Sequence, residues 1–308
     1  MQLEGVHHVT AITAEAQKNV DFYVGVMGLR LVKKTVNQDE PSVYHLFFAD
    51  EQGSAGSDIT FFEFPGAPEG RAGAGMVHTV GWRVGSPEAL DFWAARLGDA
   101  GLDTDRAERS LRFADPEGLG HELRATDVDD APLIADHPEV PAEMALRGFD
   151  GVRAYAGAPS ASTRLLESLG FARLGESDAE WEARGGSRGG LLGYDEPPAE
   201  RGLGGAGTVH HVAWASEPSE LEAWRERAGE GGARPTPVID RHYFRSVYFR
   251  EPSGVLFEIA TLGPGFTVDE PLESLGTKLS LPPDYEHLRD QVEPKLTPLT
   301  DPRAEQVR

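Results

Sequence analysis

The sequence predicts an α+β protein of four βαβββ modules that pair into curved, cup-like mixed sheets. Three observations lead there. The order strand, helix, strands recurs four times, with Gly closing the helices and Pro or Gly in the connections. The phrase Val6-His7-His8-Val9 returns as Val209-His210-His211-Val212. Asp115-Pro116-Glu117-Gly118-Leu119-Gly120-His121-Glu122 aligns beneath Glu251-Pro252-Ser253-Gly254-Val255-Leu256-Phe257-Glu258, which puts a Glu in the last strand of two units. A single such unit cannot cover both faces of its small sheet, so units must pair, with a cavity between them.

In unit one an alternating stretch predicts a strand over Val6 to Ile12, then a helix over Ala16 to Met27 ending at Gly28. Strands around Leu29 to Val36, Ser42 to Ala49 and Ser57 to Phe64 follow. Unit two gives a strand over Val77 to Val84, a helix over Pro87 to Ala100 closed by Gly101, and a last strand over Gly120 to Ala125. Unit three is the weakest: strand Gly151 to Ala156, helix Ser160 to Leu169 stopped by Gly170, and short strands near 173–174, 180–183 and 190–193. Unit four gives strand Val209 to Ala215, helix Pro218 to Ala228, and strands around Thr236 to Ile239, Ser246 to Arg250 and Val255 to Thr261. The expected division is an N-terminal domain over 1–126, a Pro- and Asp-rich linker over 127–146, a C-terminal domain over 147–262, and a polar, Pro-rich tail over 263–308. The tail is expected to wrap over the surface and to close the cavity.

Hydrophobic residues make up 39% of the 308, with 14 Phe and 5 Trp, enough for a sizeable core. The absence of Cys excludes disulfides, thiolate metal sites and a cysteine nucleophile. Neither a signal peptide nor a continuous apolar span is legible, so a cytoplasmic protein with no membrane partner is expected. The net charge of −22 argues against a nucleic-acid partner, because phosphate neutralisation needs a basic surface. An acidic surface with 5 Lys against 24 Arg fits a salt-rich cytoplasm, where salt screens self-repulsion. A homo-oligomer is compatible with all of this.

Aligning the units with one another points to the chemistry. Val77-His78-Thr79-Val80 lies under Val209-His210-His211-Val212, so unit two loses the second histidine; in unit three Asp150-Gly151-Val152 stands in its place. On a strand neighbouring side chains face opposite sides, so one histidine of each pair is expected to reach a cavity. The candidate set is His8, His211 and Glu258. One histidine alone reads most simply as a polar residue on a half-buried strand. Two in matched positions are harder to read that way, and the carboxylate among Val255, Leu256, Phe257 and Ile259 needs a cation or a hydrogen-bond donor to offset desolvation. Three protein donors leave coordination positions open, and two histidines with one carboxylate are typical of non-haem Fe(II) oxygen chemistry.

The chain also resembles the vicinal oxygen chelate superfamily, and within it the ring-cleaving dioxygenases that act on hydroquinones. The resemblance runs through Leu3 to Thr10, Phe22-Tyr23, Gly28 to Lys33, Tyr44 to Asp50, Arg147-Gly148-Phe149, Tyr248 to Glu258 and Gly265-Phe266-Thr267. It implies that His8, His211 and Glu258 hold Fe(II), or Mn(II), that the substrate is a small hydroquinone-like or catechol-like aromatic consumed with O2, and that His7, Thr10, His210, Arg241 and Tyr248 surround the metal. Tyr248 would accept or donate a substrate proton. Arg241 would stabilise developing negative charge. His7 and His210 would orient the ligands or relay protons from behind. His242, Tyr243 and Phe244 are expected to line the pocket, and His45 has no assigned role. The rival reading is a glyoxalase-like lyase or isomerase in which Glu63 adds a fourth ligand. A metal-free module that binds aromatic compounds is a third.

Overall fold

Nearly every side chain of strand β1 (Val6–Thr13) is buried, as expected of a strand at the centre of a covered sheet. The computed structural model describes residues 1–303, so the last residues of the expected tail lie outside the described ones. Unit one continues through helix α1 (Ala16–Val20), which widens into a π-helical stretch (Asp21–Val26), and strands β2 (Arg30–Val36), β3 (Tyr44–Ala49) and β4 (Asp58–Glu63). Unit two holds β5 (Val77–Val84), α2 (Pro87–Asp99), β6 (Asp105–Arg106), β7 (Ser110–Ala114) and β8 (Gly120–Ala125). Unit three holds β9 (Phe149–Tyr155), α3 (Thr163–Ser168), β10 (Ala172–Arg173), β11 (Glu180–Arg184) and β12 (Gly189–Asp195). Unit four holds β13 (Val209–Ser216), α4 (Leu221–Glu230), β14 (Ile239–Asp240), β15 (Phe244–Arg250) and β16 (Leu256–Pro264).

Two eight-stranded sheets result, ordered β14-β15-β16-β13-β1-β4-β3-β2 and β10-β11-β12-β9-β5-β8-β7-β6. The first joins unit four to unit one through the antiparallel β1–β13 ladder, and the second joins unit three to unit two through β5–β9. Each sheet therefore takes one unit from 1–126 and one from 147–262, so the two halves of the chain are not the two structural layers. The linker is tied into the second sheet: Asp130 accepts from Arg83 and Arg184 and from the backbone N–H of Gly189.

Helix α2 starts where Ser86 accepts from the Ala89 N–H, with Pro87 in the first turn. It ends at Gly101, whose φ of 81° is the left-handed conformation that favours glycine. In unit four the helix begins at Leu221, later than its proline suggested. Strands β6 and β7 of unit two went unread because charged residues interrupt their short apolar alternation. All five tryptophans, Trp82, Trp93, Trp181, Trp214 and Trp224, are fully buried, and Trp82 and Trp214 occupy matching repeat positions.

From Gly263 to Arg303 the tail wraps the edge of the first sheet, where the Ser280 N–H donates to the Lys34 carbonyl. Its Phe266 packs edge-on against Phe47 at 5.0 Å between ring centroids. Buried Lys33 pairs with Asp269 at 2.6 Å and with Glu270. Among the described residues the tail packs behind the cavity wall and none of its residues lines the cavity, where a closing tail was expected.

Candidate metal centre

The β1–β13 ladder at the centre of the first sheet is broken twice. One extra residue is inserted between Val6 and His8 on β1, and one between Val209 and His211 on β13. The inserted residues are His7 and His210. Such a bulge re-aims side chains and suspends strict alternation. His7 and His8 thus bring their Nδ1 atoms within 2.9 Å, and His210 and His211 theirs within 2.8 Å. His210 lines the same cavity as His211, against the expectation of one inward histidine per pair. His7 stays buried behind His8 and contacts the Thr261 carbonyl through Nε2 at 3.1 Å.

His8, His211 and Glu258 converge at the foot of the cavity. His8 Nε2 lies 3.2 Å from His211 Nε2 and 3.2 Å from Glu258 Oε2, and His211 Nε2 lies 2.8 Å from the same oxygen. All three are buried, and they are the one group of three metal-ligating side chains found together among the described residues. Burial pushes the Glu258 carboxyl up, but the two imidazoles more than offset it and hold it well below the usual carboxylate range. Neither Glu258 oxygen accepts a well-formed hydrogen bond among the described residues, despite those short approaches. Two imidazole nitrogens and a fully buried carboxylate pressed together in this way fit a divalent cation.

Above them lies a cavity of about 400 Å³ walled by Phe47, Phe62, Phe64 and Phe244. Tyr248 faces Glu258 across the β15–β16 ladder, and its hydroxyl accepts from Arg241 Nε at 3.3 Å. Burial and the nearby Glu258 charge push the Tyr248 phenol far up. Asp39 in the β2–β3 loop accepts two bonds from the Arg241 guanidinium, at 3.3 and 3.1 Å. Thr10 lines the cavity and accepts from Thr60 Oγ1 at 2.9 Å. Tyr243 and Phe244 contribute to the wall as expected. His242 does not; its φ of 71° turns it aside, with Nε2 at 3.7 Å from Asp269 in the tail. Sequence reasoning gave His45 no role, yet it lines the cavity; its signal is that it shares a strand face with Phe47.

Glu63 is not a fourth ligand. Phe62 and Phe64 line the cavity, so alternation places Glu63 on the other face, where Oε1 accepts the N–H of Ala16 at 3.0 Å and caps α1. The second sheet keeps both bulges, at His78 and Asp150, but holds no counterpart site. At Gly151, in the place of His8, any Cβ would collide with the Leu191 carbonyl, and Glu122 accepts instead from Arg112 at 3.0 Å.

Sheet architecture and donor set together define the class. The chain belongs to the Glyoxalase/Bleomycin resistance protein/Dioxygenase superfamily, whose family model matches residues 5–123 and 149–259. Within it the chain groups with the ring-cleaving dioxygenases and is an enzyme of that family. It is 41% identical over 301 residues, 96% of each chain, to "Putative ring-cleaving dioxygenase MhqO" of Bacillus subtilis (strain 168). It is 32% identical over 321 residues, 98% of this chain and 97% of the relative, to the chlorohydroquinone/hydroquinone 1,2-dioxygenase of Sphingobium indicum. A crystal structure titled as that of a "putative dioxygenase" from Bacillus subtilis subsp. subtilis str. 168 matches with a TM-score of 0.90 at 39% identity, covering 97% of this chain and 98% of that one. Glyoxalase I from Zea mays, at 15% identity and a TM-score of 0.54 over 84% of this chain and 92% of that one, shares the fold alone.

Proposed function

We propose that this enzyme opens the ring of a hydroquinone-like or catechol-like substrate with O2, using Fe(II), or Mn(II), held by His8, His211 and Glu258. The observation that carries the reading is the convergence of two imidazoles and a carboxylate beneath a phenylalanine-walled cavity of about 400 Å³. Held by these three side chains, iron would supply a redox centre at the foot of the cavity.

The chain's own residues do the rest. The phenylalanine wall holds the aromatic ring and excludes water. Because the Tyr248 oxygen accepts from Arg241, its own hydrogen is free to be donated to a substrate oxygen, which steadies the substrate as it binds as an anion. The Arg241 guanidinium stabilises negative charge on that oxygen. His7 and His210 fix the ring orientation of His8 and His211, and Thr10 shapes the floor beside them. The ring then opens beside a hydroxylated carbon.

Oxygen uptake by protein loaded anaerobically with Fe(II), on adding hydroquinone and then catechol, tests this directly. Uptake with loss of aromatic absorbance supports ring cleavage, and silence in folded, iron-loaded protein overturns it. His211→Ala and Glu258→Ala should each abolish metal retention and uptake while the fold survives. The same reading takes the enzyme to be cytoplasmic and adapted to salt; among the described residues no helix is long and apolar enough to cross a membrane. A melting temperature that rises from dilute buffer to molar KCl supports the salt reading.

A further inference from the structure

On β3, with β4 between it and the strand that carries His8, the cavity wall holds one polar ring that the chemistry above does not use. His45 on β3 lies between the rings of Phe47 and Phe62, with centroids 4.0 and 4.4 Å away. Its Nε2 is 2.9 Å from Thr60 Oγ1. Thr60 Oγ1 in turn donates to Thr10 Oγ1 at 2.9 Å. A hydroxyl has one hydrogen, and that of Thr60 is committed to Thr10, so Thr60 can only accept from His45. The hydrogen of His45 is therefore on Nε2. Burial, and next the neighbouring His8, hold this imidazole well below its usual value, so the ring is neutral and Nδ1 is a bare lone pair. Among the described residues Nδ1 has no hydrogen-bond partner, and the ring forms part of the cavity wall.

We infer that His45 selects the substrate by accepting a hydrogen bond, at Nδ1, from a ring hydroxyl on the side remote from the metal donors. This rests on the ring-cleavage reading and extends it. β4 separates β3 from β1, so His45 stands two strands, about 10 Å of sheet, from the strand that carries His8. A vicinal diol keeps both oxygens at the metal end and leaves Nδ1 unanswered. A 1,4-diol places its second hydroxyl across the ring, toward β3. Nδ1 can only accept, so a methoxy group there gains nothing. If His45 merely filled the aromatic wall, a phenylalanine would serve as well.

Equilibrium binding to the iron-loaded protein under nitrogen reads this without turnover. Hydroquinone, phenol and 4-methoxyphenol are compared by calorimetric titration. One satisfied buried hydrogen bond should let the wild type bind hydroquinone roughly tenfold more tightly than the other two, which should resemble each other. His45→Phe should remove the hydroquinone advantage, read as the ratio of hydroquinone to phenol affinity within the same variant so that any change in the wall cancels. His45→Asn, whose Oδ1 replaces the Nδ1 acceptor, should restore part of it. An undiminished advantage in His45→Phe overturns the proposal. So does a wild type that fails to separate hydroquinone from 4-methoxyphenol, a result that needs no variant to fold. Oxygen uptake keeps the two readings apart: ring cleavage without a hydroquinone preference sinks only the role of His45, and a His45-dependent preference without uptake sinks only ring cleavage.

Discussion

His7 and His8 share one hydrogen between Nδ1 atoms 2.9 Å apart, and the Thr261 carbonyl decides which ring owns it. That carbonyl can only accept, so His7 carries its hydrogen on Nε2. Burial lowers His7 to about 3, so it holds no second proton. His8 must then donate from Nδ1 and present the Nε2 lone pair to the site. His7→Phe should weaken divalent-metal binding by about 10–100-fold with an unchanged far-UV spectrum. Titration against a competing chelator measures this, and unaltered affinity would show that His7 only fills space.

Tyr248→Phe removes one oxygen and keeps the ring. Turnover should fall by about 10²–10⁴-fold, the usual contribution of a positioned acid or base, while metal content stays at the wild-type level. An unchanged rate takes Tyr248 out of the proton path.

A buried network in the core sets an acid limit. Trp82 Nε1–H donates to His121 Nδ1 at 3.1 Å, His121 Nε2–H donates to the Tyr23 oxygen at 2.9 Å, and Tyr23 donates to Asp115. Burial lowers His121 from 6.5 to about 3. Below pH 6.5 the unfolded chain binds a proton at this residue that the folded protein refuses, so stability is lost as pH falls from 6.5 toward 3. One such histidine contributes a loss of about 2 kcal/mol by pH 5. Melting at pH 7 and pH 5 should therefore differ less in His121→Gln than in the wild type. Parallel shifts would acquit this histidine.

Lys33 is completely buried, and so is its partner Glu270. Lys33→Met strands that carboxylate and should cost about 3–5 kcal/mol, read as a lower melting temperature and faster proteolysis beyond Gly263. Adding Glu270→Leu should recover most of the loss. If the single variant melts like the wild type, the pair does not hold the tail.

Much of the site was legible because duplication leaves a residue comparable with its own copies. His8 and His211 stood out as retained where Thr79 and Gly151 are not, and Glu258 stood out as a charge in an apolar strand. The bulges were not legible, since an inserted residue in a ladder depends on the register of a partner about two hundred positions away. That is why His210 was expected on the wrong side of its strand. Glu63 misled because a carboxylate in an apolar strand announces only that it needs a partner, and here the partner is the exposed N–H of a helix start. Apolar patterning alone, alike in all four units, did not choose among the three possible pairings; only the ligand set, divided between units one and four, pointed to the one observed.

That pairing has a consequence during synthesis. A nascent chain that has emerged through its third unit owns His8 but neither His211 nor Glu258, and its two middle units can already zip into a complete sheet. The three-residue metal site is thus complete only when the last unit arrives, so a stalled or truncated polypeptide lacks two of its three donors.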